Sequence, residues 1–177
     1  MKLPKLLHKI LKIYSVSNLH KTYYKSPIGT IEITGTNDEI HAVSILDDDI
    51  SSFEKIGNSK ELEKCKNQLE EYFKGTRISF DLKLKPQGTV FQQKVWDELL
   101  NIKFNKTRTY LEQTKAIGNV KAIRAVASAN GKNPIAIIIP CHRVIGTDGS
   151  LTGYAGGLWR KKWLLEHENP VKQQSLF

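Results

Sequence analysis

The sequence is poor in several residue types, and each shortage excludes something. Two cysteines in 177 residues, Cys65 and Cys141, cannot build a disulfide framework and have no C-x-x-C metal spacing. Free thiols point to a reducing, cytoplasmic setting. Long apolar runs are missing, so no segment reads as a membrane span. Acidic residues are outnumbered: 18 Asp/Glu stand against 27 Lys/Arg, a formal net charge of +9. Low-complexity tracts and internal repeats are absent. What remains is a chain long enough for one ordinary domain or two small ones, able to bury a core without metal or disulfides.

The positive charge is uneven. Residues 1–85 carry 14 Lys/Arg against 12 Asp/Glu, whereas residues 86–177 carry 13 against 6. A basic second half suits a polyanionic partner, nucleic acid first, but charge alone allows equally a basic surface with no partner. At the start of the chain Lys5, Lys9 and Lys12 interrupt the leucines and isoleucines of residues 1–14. That pattern lacks the unbroken apolar run of a secretory signal. It reads as a loose basic arm in preference to a membrane-surface helix.

Three blocks follow the arm. In the first, Thr22–Lys25, Thr30–Thr34 and Ile40–Leu46 read as short strands separated by Gly- and Pro-containing turns. Lys60–Phe73 reads as a helix with Leu62, Cys65, Leu69, Tyr72 and Phe73 on one face, so Cys65 is expected in the core. The alternation over Ile78–Leu84 predicts another strand. The second block opens at Pro86-Gln87-Gly88. It predicts a helix over Val90–Leu99, then two short helices, Tyr110–Ile117 and Val120–Ala129, around Gly118-Asn119. Thr109 with Glu112 three residues on forms a capping box, and the pair suits a helix-turn-helix. In the third block a five-residue apolar run, Ile135–Ile139, is expected as a buried strand. It ends at Pro140 and is followed by Cys141-His142-Arg143-Val144, a Gly-rich loop over residues 146–157, and a closing helix from Leu158 to His167.

A thiol fixed behind a buried segment can be a small core residue or a nucleophile. The second role needs a base, a cation or a dipole to favour the thiolate. His142 could serve, directly or through water, if a carboxylate orients its ring.

The string Pro140-Cys141-His142-Arg143-Val144 resembles the active-site motif of the O6-alkylguanine-DNA alkyltransferases. The likeness extends in order through Gly88–Gln92, Val95-Trp96, Thr109-Tyr110, Ala122–Val126, Asn133-Pro134, Gly149–Gly157 and Trp163–Glu168. The first block resembles the family only in outline, including Ser26-Pro27-Ile28-Gly29. The resemblance implies an α+β fold, with a small ribonuclease-H-like N-terminal subdomain (21–86) and a mostly helical DNA-binding subdomain (87–170). These would lie between an N-terminal extension (1–20) and a tail (171–177).

The same resemblance implies roles. Cys141 would be the permanent alkyl acceptor, His142 its water-mediated base, Glu168 the carboxylate orienting His142, and Tyr110 a donor to the departing guanine. Arg124 would fill the space left by the flipped nucleotide, while Thr109, Ala122, Ala125 and Ser128 would lie against DNA. Asn133 would hold the turn before the active site. Pro140, Arg143, Val144, Tyr154, Ala155 and Gly156 would shape the pocket and its frame. Ala127-Ser128 departs from the Gly-Gly or Gly-x of many relatives.

No cofactor or metal is expected, because the alkyl donor is the damaged DNA; some members carry zinc, but Cys65 has no metal-binding partner nearby. The implied partner is double-stranded DNA containing O6-alkylguanine, with no membrane, and the implied state is a monomer. Two rivals predict other outcomes. A damage-binding module would transfer nothing, and a Cys–His hydrolase would turn over repeatedly.

Overall fold

The structure is a computed structural model that describes residues 19–47, 54, 56–57 and 59–169. Almost all of the N-terminal extension and the whole tail therefore lie outside the described residues. The first unit is a three-stranded antiparallel sheet in the order β1-β2-β3: β1 (His20–Ser26), β2 (Gly29–Gly35) and β3 (Ile40–Leu46). Gly29 makes the β1–β2 turn at φ +119°, and a Cβ there would meet the Leu46 carbonyl. Helix α1 (Lys60–Phe73) packs across the sheet, capped by the Ser59 hydroxyl on the Leu62 amide. Its apolar stripe places Leu62, Cys65, Leu69 and Tyr72 in the interior with Ile28, Ile31, Ile33 and Ile40.

The second unit is mostly helical. Helix α2 (Val90–Leu99) begins with a Thr89–Gln92 capping box. Helix α3 (Tyr110–Ile117) begins with the expected Thr109–Glu112 box and ends at Gly118, φ +86°, in the left-handed conformation that closes helices. The expected helix over Val120–Ala129 is two pieces. A 3₁₀ turn at Val120–Ala122 leads into α4 (Ile123–Gly131), and Asn119 caps that turn through the Lys121 amide. Two residues before α3, β4 (Arg108–Thr109) pairs in parallel with β5 (Val144–Ile145). Helix α5 (Leu158–Glu168) closes the fold. Trp96 ties α2 to α4, its indole N–H donating to the Ala129 carbonyl at 2.8 Å.

Two sequence expectations need correction. Ile78–Leu84 keeps its alternation but is not a strand of the sheet; Leu84 forms only an isolated bridge with Ile40. Beyond that bridge, where Ile40 N–H donates to the Lys83 carbonyl, side chains take two of its amides: Asp81 N–H donates to Gln68 Oε1, and Lys83 N–H to Glu61 Oε1. The apolar run Ile135–Ile139 is a compact turn rather than a strand, with Ile139 N–H donating to the Ile135 carbonyl. Ile137 takes φ +71°, a conformation that costs a β-branched residue on the order of 1–3 kcal/mol. Apolar composition predicted burial correctly, since all but Ala136 are buried, but it could not reveal the turn.

Candidate active site

Asn133 explains why the strained turn persists. Its side-chain amide accepts from Ile135 N–H at 3.0 Å and donates to the Ile139 carbonyl at 2.7 Å. The same Nδ2 lies 3.2 Å from Cys141 Sγ. Asn133 thus clamps the turn and touches the thiol. Cys141 opens a 3₁₀ turn, Cys141–Arg143, and lines a cavity of about 190 Å³ with Val43, Ser44, Asn130, Asn133, Tyr154, Ala155 and Gly156. The sheet unit therefore contributes part of the wall through β3. A larger cavity, about 820 Å³, lies beyond Pro140 and Arg143 and does not include Cys141 among its lining residues.

Next along the chain, His142 and Arg143 enter a buried hydrogen-bond network. Glu168, at the end of α5, accepts at Oε1 from His142 Nε2 (2.8 Å), Arg143 Nη2 (2.9 Å) and Tyr72 Oη (2.9 Å). Its Oε2 accepts from Arg143 Nε (2.9 Å) and the Asn105 amide (3.2 Å). Burial alone would raise the pKa of this carboxyl, but the hydrogen bonds of His142 and Arg143, with the charge of Arg143 and that of His142 when protonated in acid, outweigh it and hold it down to about 2. An ionised carboxylate only accepts, so the imidazole must carry its proton on Nε2, which leaves a lone pair on Nδ1. Burial, with help from Arg143 and Lys161, lowers the pKa of His142 against the pull of Glu168. The ring is therefore neutral near pH 7 and basic at Nδ1, an atom sealed from solvent with no hydrogen-bond partner among the described residues.

Burial pushes the Cys141 thiol up, while Asn133 and the nearby Lys161 pull the other way. Lys161 is fully buried and donates to the Val144 carbonyl (2.6 Å) and the Thr152 carbonyl (2.7 Å). Burial brings its ammonium down to about 8. Tyr110 faces the same loop, its hydroxyl donating to the carbonyls of Thr152 (3.2 Å) and Gly153 (3.4 Å). The β4–β5 pairing brings Tyr110, at the head of α3, to the segment just after Cys141. On α4 the side chains of Arg124, Ala125 and Ser128 are exposed, and Ala122 is half-buried.

Most of the residues singled out from the sequence meet here. Cys141, Asn133, Tyr154, Ala155 and Gly156 share the cavity, and His142 and Glu168 are bonded behind it. Pro140, Arg143 and Val144 do not line that cavity; they belong to its inner frame. Four residues were missed. Tyr72, Asn105 and Arg160 are distant in sequence from the motif. Arg160 ties the Gly156 carbonyl (2.8 Å) to the Ile28 carbonyl (2.6 Å) and Asp47 (2.5 Å), fixing the pocket loop to the sheet. Lys161 did leave a signal, because it falls on one helical face with Leu164 and Glu168. Among the described residues no group of three or more His, Cys, Asp or Glu side chains could hold a metal ion.

Residues 90–170 match the family model described as 6-O-methylguanine DNA methyltransferase, DNA binding domain, and residues 19–86 match its ribonuclease-like domain. The chain is 46% identical over 157 residues to the methylated-DNA–protein-cysteine methyltransferase of Methanosarcina acetivorans, covering 85% of this chain and 98% of that one. It belongs to the methylated-DNA–protein-cysteine methyltransferase family. The Haemophilus influenzae methyltransferase is 41% identical over 154 residues, covering 85% of this chain and 86% of its own. Among solved structures, the O6-methylguanine methyltransferase of Mycobacterium tuberculosis superposes with a TM-score of 0.77 at 42% identity, covering 86% of this chain and 93% of that one. The structure of M. tuberculosis OGT in complex with DNA gives 0.76 at 42% identity, covering 84% and 91%. The methyltransferase family fold, a small antiparallel sheet unit joined to a mostly helical unit, is the architecture found here.

Proposed function

We propose that the protein repairs DNA directly, moving the alkyl group of O6-alkylguanine in duplex DNA onto Cys141 once and irreversibly. The observation that carries this reading is the thiol's position: Cys141 lines a small cavity, and the next residue, His142, is hydrogen-bonded to the buried Glu168 carboxylate. The names of the relatives support the substrate class, and the DNA-bound neighbour supports duplex DNA as partner.

A base inside a duplex cannot reach Cys141, so the damaged guanine is extruded, at a cost of a few kcal/mol. Arg124, exposed on α4, fills the gap, and the small exposed side chains of Ala125, Ala127 and Ser128 allow close approach to a groove. The segment from Thr109 to Gly131, two short helices around a tight turn, acts as the helix-turn-helix. Cys141 gives its proton to His142 Nδ1 through a bridging water, and Glu168 stabilises the imidazolium that forms. The sulfur attacks the alkyl carbon, the carbon–O6 bond breaks, and its electron pair leaves with guanine. Tyr110 exchanges its bond to the Thr152 carbonyl for one to the departing base, stabilising the negative charge as it develops. The product is a thioether that no step reverses, so each chain acts once.

The matched segments, 19–86 and 90–170, support the reading of two subdomains meeting near residue 86; the protein acts as a monomer in the cytoplasm. Among the described residues no helix is long and apolar enough to cross a membrane. The decisive test is stoichiometry with a duplex bearing a labelled O6-methyl group. One label retained per chain supports transfer. No label with the duplex still bound leaves a binding module, and repeated release of label leaves a hydrolase.

A further inference from the structure

Tyr72 belongs to α1 of the sheet unit, 96 residues from the carboxylate it binds. It is fully buried, packed against Phe73, Phe80, Phe104 and His167 at ring-centroid distances of 5.1–6.3 Å. A purely apolar cluster would be served by phenylalanine. Instead the ring carries a hydroxyl that ends on the same Glu168 oxygen, Oε1, that accepts from His142. We propose that Tyr72 is a positioning residue of the transfer relay, supplied by the N-terminal unit, whose hydroxyl shares Glu168 Oε1 with His142 and so limits how strongly the carboxylate holds the imidazole.

Three donors compete for one oxygen, Glu168 Oε1. Each donor on Oε1 spreads part of the carboxylate's charge. With three donors in place, His142 is gripped firmly enough to be oriented, yet its protonated form gains less from Glu168 than it would from a carboxylate with a free oxygen. That keeps the ring able to accept a proton near neutrality. Removing the hydroxyl concentrates the charge on His142 and makes it more basic, so it is already protonated at a pH where the native ring is still free. The other groups facing this pair are Arg143 and Cys141 on the same turn, Lys161 on α5, and Tyr154 from the loop. His167 packs on the Tyr72 ring and bonds its backbone carbonyl at 2.7 Å. This arrangement also gives the sheet unit a direct contact with the chemistry, through one hydrogen bond.

The inference rests on the transferase reading. Its test is the single-turnover rate of methyl transfer from an O6-methylguanine duplex, measured from acid to alkaline pH for wild type and Tyr72→Phe. Melting temperature and duplex affinity are measured alongside. The acid limb of the Tyr72→Phe profile should lie higher by about half a pH unit, so that the rate falls about threefold on the limb and recovers at alkaline pH. Duplex affinity should be unchanged, and the shift should persist in a His167→Gln background. Superimposable profiles, or a rate that pH does not move in either protein, overturn the proposal even if Tyr72→Phe melts earlier. A wild type that transfers nothing overturns the transferase reading instead. The wild-type protein gives a second measurement that needs no variant. The Tyr72 hydroxyl proton, sealed from solvent, should give a slowly exchanging NMR signal with cross-relaxation to the His142 Nε2 proton, and its absence contradicts the shared oxygen.

Discussion

Cys65 and Cys141 are both buried thiols, and burial raises the pKa of both, yet their surroundings have little else in common. Cys65 lies on the inner stripe of α1 among Ile, Leu and aromatic side chains. Burial pushes it up to about 12, the Glu61 charge adds to the effect, and nothing opposes it. Cys141 has an amide donor at 3.2 Å, a buried ammonium nearby, a neutral imidazole adjacent in the chain, and a cavity in front. A buried thiol is therefore not made reactive or inert by burial. Polar groups that can receive its proton and stabilise its charge decide the matter, together with room for a substrate.

The difference can be broken from the Cys141 side. Glu168→Ala should have the largest effect on stability, because it leaves Arg143 and His142 buried without their acceptor, at about 3–5 kcal/mol. A fall in melting temperature of roughly 10 °C or more is expected, together with loss of transfer. Tyr110→Phe removes one donor to the leaving guanine and should slow single-turnover transfer by about a hundredfold with duplex affinity retained. A rate within twofold of wild type would remove Tyr110 from the mechanism.

Acid should act on the same relay. The pKa of Glu168 is about 2 in the folded state against an ordinary 4.5, so the folded state favours the charged form. That contribution, on the order of 3 kcal/mol, is complete above about pH 5 and is lost as pH falls from 4.5 toward 2. Urea unfolding at successive pH values should show this loss in wild type. A Glu168→Gln protein, where it folds, should lack that component. The smallest effect is expected at the other thiol: Cys65→Ala should cost about 1 kcal/mol from lost packing and leave the transfer rate unchanged.

Much of this contrast was readable in the sequence, for reasons that differ by region. The helical stripe of α1 put Cys65 in the core because a 3.6-residue period is a property of the segment alone. The capping residues Thr109 and Glu112 marked the start of α3 for the same reason. The order of motifs from Gly88 to Glu168 identified Cys141, His142 and Glu168 together, which no local pattern could have done. The turn at Ile135–Ile139 was hidden, since an apolar run reports burial but not backbone direction, and the clamp that bends it is the Asn133 side chain. Tyr72 and Asn105 were hidden as well. Their link to Glu168 is tertiary, and from sequence Tyr72 is simply another apolar position of a helix. Ile78–Leu84 misled in the opposite sense, because its period of two came from packing on one face, while its backbone meets β3 only at Ile40 and side chains take the Asp81 and Lys83 amides.

The central claim is that Cys141 alone accepts the alkyl group, and the most direct test is to locate that group. The protein would be incubated with a duplex carrying one O6-methylguanine, weighed intact, then digested and sequenced by tandem mass spectrometry, with Cys141→Ser alongside. The account predicts a gain of about one methylene per wild-type chain, confined to the peptide containing Cys141, with the Cys65 peptide unchanged and no gain in the variant. Methyl on Cys65, or an equal gain in Cys141→Ser, would contradict it.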